Sequence, residues 1–149
     1  MSATGISIPA GGRIFFDTSP FIYYIEENVS YLETLTSLFK RNDAGEFQIV
    51  TSSLTLTEVL ILPLRQQANF IVSEYEQILL HSPFIFVAPI NTAIAKRAAE
   101  IRALYNFRTP DALQLATAIE TSADVFLTND HQLSIIKEIE VVILKDIHE

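Results

Sequence analysis

A chain of 149 residues is about the modal size of one domain, so it reads as one core with no second domain. Hydrophobic residues make up 49% and charged residues 19%, with only 4 Gly and 6 Pro, which excludes disordered, collagenous and low-complexity chains. Ten basic against 18 acidic residues leave a formal charge of −8, unlike a generic basic nucleic-acid binder, and zero Cys removes disulfides, thiolate metal sites and Cys nucleophiles together.

Residues 1–12 are small and polar and end in Pro9-Ala10-Gly11-Gly12, so they read as a flexible N-terminal tail before a single domain over 13–149. They lack the charged start and apolar run of a signal peptide. No stretch approaches the roughly 18 uninterrupted apolar residues of a membrane helix. The expectation is a soluble cytoplasmic protein with no membrane partner.

Arg13–Phe16 is a short apolar run stopping at Asp17, the pattern of a buried strand. Thr18-Ser19-Pro20 then offers a hydroxyl cap with Pro at the first helical position of a helix reaching about Glu26. Tyr31–Arg41 carries Leu32, Leu35, Leu38 and Phe39 at helical spacing. Phe47–Thr51 is strand-like, Leu54–Leu62 reads as a helix ended by Pro63, and Gln66–His81 as a longer helix. Phe84–Val87 reads as a strand, Ile90–Tyr105 as a helix, and Pro110–Glu120 as a helix capped by Thr109. Strands at Val125–Leu127 and Val141–Leu144 complete the chain. Short apolar strands alternating with helices predict an α/β fold with a mostly parallel central sheet and helices on both faces, three layers in all.

In such a sheet, ligands bind at the carboxyl ends of the strands. Asp17 directly follows Ile14-Phe15-Phe16, and Asp130 follows the Val125 strand by two residues. Asp111 opens a helix, and Glu58 lies in a short helix after the Phe47–Thr51 strand. Each has an ordinary explanation: Asp111 complements a helix dipole, Asp17 is a cap or Asx-turn residue, and Asp130 sits in a turn. Glu58, flanked by Leu54, Leu56, Val59, Leu60 and Ile61, is expected to be a buried carboxylate in need of a cation or hydrogen-bond donors. Four acids on one sheet edge, without Cys, favour a hard divalent cation, Mg²⁺ or Mn²⁺, and phosphoryl or phosphodiester chemistry.

These stretches resemble the PIN-domain family, and most of all its small VapC-type toxin ribonucleases. The resemblance runs from about Arg13 to the end. It rests on Ile14-Phe15-Phe16-Asp17-Thr18-Ser19, on Ser52-Ser53-Leu54-Thr55-Leu56-Thr57-Glu58-Val59, on Arg108-Thr109-Pro110-Asp111-Ala112-Leu113-Gln114-Leu115-Ala116-Thr117-Ala118, and on Asp124-Val125-Phe126-Leu127-Thr128-Asn129-Asp130. Any one of these is weak, but all four in order form a strong signal. The resemblance implies a PIN-like fold and a metal-dependent endoribonuclease. Its acidic quartet would be Asp17, Glu58, Asp111 and Asp130, holding Mg²⁺ or Mn²⁺, with Thr18, Ser19 and Thr128 orienting carboxylates and waters. It also implies an RNA substrate, a homodimer and a small antitoxin partner. Pro20 and the tail depart from the family pattern. His81, His131 and His148 read as surface residues with no catalytic duty.

Lys96, Arg97, Arg102 and Arg108 lie just ahead of Asp111, either as a solvated helix face or as a positive edge for RNA, with Arg108 nearest the acids. Phe21-Ile22-Tyr23-Tyr24-Ile25 reads mainly as core, with part of the run left over for a partner groove. Three rivals remain at this point. A haloacid-dehalogenase-like phosphatase needs a second acid two residues after the first, where Ser19 stands. A receiver-like module needs an acidic pair after the first strand. A non-catalytic PIN-fold binding module would not need an intact quartet.

Overall fold

The computed structural model describes residues 6–147, so His148 lies outside the described residues. Five strands form one parallel sheet: β1 (Arg13–Phe16), β2 (Gln48–Ser52), β3 (Ile85–Ala88), β4 (Val125–Thr128) and β5 (Glu140–Ile143), in the order β3-β2-β1-β4-β5. The central strands β1 and β4 are near-continuous apolar runs because both of their faces are covered.

Six helices connect them: α1 (Thr18–Ile25), α2 (Leu32–Asp43), α3 (Ser53–Arg65), α4 (Asn69–His81), α5 (Thr92–Tyr105) and α6 (Thr109–Glu120). Alternation along β1 divides the core. Ile14 and Phe16 pack with Phe21, Leu35, Leu38, Val59 and Leu79 beneath α1–α4. Phe15 packs on the other face with Phe126, Ile94, Ile101 and Leu115 beneath α5 and α6. Handedness explains this division. The β1-to-β2 and β2-to-β3 crossovers move one way along the sheet. The β3-to-β4 crossover moves the other way, so a right-handed connection puts its helices on the opposite face. The three-layer α/β arrangement expected from sequence is the one present.

Several boundaries differ for identifiable reasons. Pro63 does not end α3, which runs on to Arg65. The ring is buried, and the last turn closes through Gln66 N–H on the Leu62 carbonyl at 2.9 Å, so one lost backbone bond near the helix end is tolerated. α4 begins three residues later than expected because Gln67 takes φ 55°, turning the chain between the two helices. The caps also shift: Asp17, not a hydroxyl of Thr18-Ser19, caps α1, so Pro20 is its third residue, and Arg108, not Thr109, precedes α6. Asp130 caps a 3₁₀ turn, His131–Ile135, that was not anticipated.

Of the segment read as a tail, Ile6 is buried in the α1–α4 core and Ile8 packs against it, while residues 1–5 lie outside the described residues. The aromatic run of α1 goes to the core. Phe21 is buried, Tyr23 lies 4.7 Å from Tyr31 and Tyr24 lies 4.3 Å from Phe39 between ring centres. Among the described residues, no helix is long and apolar enough to cross a membrane.

Phe15 and Phe126 stack at 5.1 Å with planes 6° apart, both fully buried between β1 and β4. Replacing Phe15 with Ala is expected to cost about 3–5 kcal/mol. Urea unfolding should show this as a lower midpoint at an unchanged slope.

Candidate active site

The sheet reverses its winding between β1 and β4, and a crevice opens at the carboxyl ends of strands at such a switch point. Asp17 ends β1 there. Its Oδ1 accepts the Thr18 N–H at 2.9 Å and its Oδ2 accepts the Thr128 hydroxyl at 2.8 Å. The Gln114 amide approaches Oδ1 at 3.3 Å. Thr128 ends β4, is buried, and accepts the Asp130 N–H at 3.1 Å, so one hydroxyl links the first acid to the turn that carries the last.

An open depression of about 580 Å³ is lined by Asp17, Glu58, Asp111 and Asp130 together. Thr18, Ser19, Arg108, Thr128 and Asn129 also line it. Four acids separated by 41, 53 and 19 residues along the chain thus share one surface. Asp111 is in the first turn of α6, and Asp130 accepts the Gln132 N–H at 3.0 Å as a cap. The local duties expected of these acids are therefore real, and the acids face a common space as well.

Glu58 differs from expectation. It is exposed at the rim, because α3 packs Val59, with Leu56 and Leu60, against the core and leaves position 58 outward. Its Oε1 accepts the Thr18 hydroxyl at 2.5 Å, so it needs no cation to offset burial. The basic residues also separate. Arg108 lies at the site, 3.2 Å from Asp111, with 80% of its side chain exposed. Arg102 instead closes the α5–α6 loop, donating to the Phe107 carbonyl at 2.7 Å and to Thr109 at 3.0 Å. Arg97 pairs with Glu120 at 3.0 Å, nine residues along α6 from Asp111, or about 14 Å of helix. Arg97 and Arg102 therefore hold helices and their connection together, and neither lines the depression.

Sequence reasoning missed the polar layer beneath the site. Gln114 is 2% exposed, and Ser52 and Thr55 are fully buried. The available signal was Gln114 three residues after Asp111, a long polar side chain in a helix whose buried residues are otherwise Leu115, alanines and Thr117.

Burial raises the Asp17 carboxyl above its ordinary value of 3.8, against the opposing donors Thr128, Thr18 N–H and Gln114, and the charge of Asp111 adds to the rise. The donor set is all oxygen. Among the described residues, no three His, Asp or Glu side chains already form a group that could hold a metal ion. An all-oxygen donor set is the kind that suits a hard cation such as Mg²⁺ or Mn²⁺ rather than Zn²⁺.

A parallel α/β sheet with acids at its switch point places an oxygen-rich crevice where ligands bind in such folds. Residues 14–139 match the PIN domain family, and the chain belongs to that family. Membership separates it from the phosphatase and receiver readings. Solved structures with the same fold include VapBC2 from Rickettsia felis bound to a promoter DNA fragment, at 17% identity and TM-score 0.66 over 87% of this chain and 97% of the other. DNA-bound VapBC from Salmonella typhimurium matches at 21% identity and TM-score 0.65 over 89% and 98%. VapC20 of Mycobacterium tuberculosis, a toxin that cleaves the sarcin-ricin loop, matches at 20% identity and TM-score 0.60 over 85% and 98%. Curated protein sequences give no match.

A carboxyl group whose folded value is raised stabilises the fold below the unfolded value and loses that contribution as pH climbs through the folded value. In metal-free protein, the stability difference between Asp17→Asn and wild type should therefore move in favour of Asn between about pH 4 and pH 7. Urea unfolding at both pH values checks this, and a flat difference would contradict it.

Proposed function

We propose that this chain is a metal-dependent endoribonuclease, the toxin of a type II toxin–antitoxin pair, that hydrolyses RNA phosphodiesters using Mg²⁺ or Mn²⁺. The observation that supports this reading best is the convergence of four carboxylates from four separate segments on one open depression. One or two such ions, when bound, lower the pKa of a water and neutralise charge developing on the phosphoryl oxygens.

The residues divide the work. Asp17, fixed by its donors at the end of β1, would anchor one or two metal ions together with Asp111 and Asp130. Glu58, at the rim on the Thr18 hydroxyl, binds an ion or orients the attacking water. Thr18, Ser19 and Thr128 orient carboxylates and waters at the floor. Arg108 is the basic residue for a phosphate of the RNA. Its exposed pairing with Asp111 is worth little, so it leaves that partner readily.

An antitoxin and a homodimeric state come to this chain by analogy with the toxin–antitoxin assemblies that share its fold. A cleft of about 270 Å³ between α1, α3 and α4, lined by Ile22, Ile25, Val59 and Ile71, opens beside Glu58 and suits an apolar segment of such a partner. Exposed Ile61, Leu62, Leu64 and Phe70 near the α3–α4 turn give further apolar surface for assembly. A cytoplasmic location follows from an RNA substrate.

Purified protein should cleave RNA with Mg²⁺ or Mn²⁺ and stop on EDTA. Asp17→Asn and Asp111→Asn should each lower the rate by at least about 100-fold. Cleavage surviving both EDTA and Asp17→Asn would refute the mechanism. Metal-dependent structure without any cleavage would favour a binding module instead.

Arg108→Ala should weaken RNA binding and flatten its dependence on salt by about one phosphate contact. Binding measured across a salt series checks this. The same substitution at Arg97 should leave both unchanged.

A further inference from the structure

Beneath the acids lies a closed hydrogen-bond network that joins three chain segments. Gln114 of α6 donates from Nε2 to Thr55 Oγ1 at 2.8 Å, and the same nitrogen faces Asp17 Oδ1 at 3.3 Å and Thr18 Oγ1 at 3.4 Å. Its Oε1 accepts the Ser52 hydroxyl. Thr51 donates to the Phe16 carbonyl at 2.8 Å and reaches Thr55 at the same distance. Thr18 passes the chain on to Glu58.

The sense of the Gln114 amide follows from its neighbours. Ser52 caps α3, and its Oγ accepts the Leu54 N–H at 3.2 Å. That leaves the Ser52 hydrogen for Gln114 Oε1, so the NH₂ end must face Asp17, Thr18 and Thr55. Turned the other way, the amide oxygen would meet the Asp17 carboxylate. A buried amide is also costly on a helix face that packing alone would fill with Leu or Ala. Its burial has a clear return only through the groups it orders.

We propose that Gln114 is a positioning residue of the active site, whose amide fixes Asp17 directly and Glu58 through Thr18, holding the two carboxylates as one unit. This rests on the nuclease reading above. Gln114 touches neither substrate nor cation; it acts through the acids it orders.

The test uses the full chain with Gln114→Met, which keeps length and volume and removes both hydrogen-bonding ends, and Ser52→Ala, which frees the amide to turn. Mn²⁺ affinity is measured by calorimetry, folding by urea unfolding, and RNA cleavage as kcat and KM. Gln114→Met should remain folded, bind Mn²⁺ about 10–100-fold more weakly and lose kcat with little change in KM, and Ser52→Ala should move both values in the same direction by less. Lowered stability with Mn²⁺ affinity and kcat at wild-type levels would show a purely structural role and overturn the proposal. Should Gln114→Met not fold, Ser52→Ala decides alone, with wild-type Mn²⁺ affinity and kcat counting against the proposal. Wild-type protein that neither binds Mn²⁺ nor cleaves RNA would refute the nuclease reading and this role with it. Normal wild-type binding left intact in both variants refutes the role of Gln114 alone.

Discussion

Asp17 stands at the end of the central strand of an all-parallel sheet, where a carboxylate is half-withdrawn from water and faced by the charge of Asp111. An acid in that position is costly to ionise, and the surrounding structure is organised around lowering the cost. A backbone N–H at the start of α1, a hydroxyl at the end of β4 and an amide from α6 all point at it. Two of these donors are themselves held by other partners, Gln114 by Thr55 and Ser52 and Thr128 by the Asp130 N–H, so they meet the acid already oriented. Functional sites commonly retain such locally unfavourable features, which the fold around them offsets.

The topology explains why those donors can meet. Because β1 lies between β2 and β4, the end of β1 is flanked by the N-terminus of α3 on one side and by the β4 turn on the other. The reversal of winding sends α5 and α6 to the opposite face, so α6 returns toward the same edge from below. Residues far apart in sequence are thus brought to one crevice by strand order and right-handed crossovers alone. No single local motif could do this.

This is also why the sequence was legible unevenly. Strand-end acids could be read because a short apolar run followed by Asp keeps its meaning whatever the remainder does. The apolar runs of β1 and β4 and the helical spacing of α2 gave the layers for the same local reason. Glu58 was misjudged because apolar neighbours on a helix do not reveal which way one position turns; that depends on where α1 and α4 pack. Pro63 was misjudged because its missing bond falls in a final turn that tertiary burial sustains. Arg97 and Arg102 looked like part of a basic patch only in one dimension. In the fold, each answers to a partner on or beside α6. Gln114 was invisible as a site residue for the converse reason, since its partners come from β1 and β2 and no local pattern foretells them.

The charge balance takes on a different meaning once the acids are located. A chain of formal charge −8 repels a polyanion, and four of its negative groups surround the depression where a phosphodiester would have to enter. Arg108 is the lone basic side chain among the residues lining that depression, and it sits 3.2 Å from Asp111. On the nuclease reading, a divalent cation therefore does two things at once. It would supply the chemistry at the acids that hold it, and by offsetting the charge of those acids it would weaken the repulsion that an incoming phosphate meets beside Arg108. Substrate entry and catalytic competence are then governed by the same event, which a permanently basic cleft would not achieve.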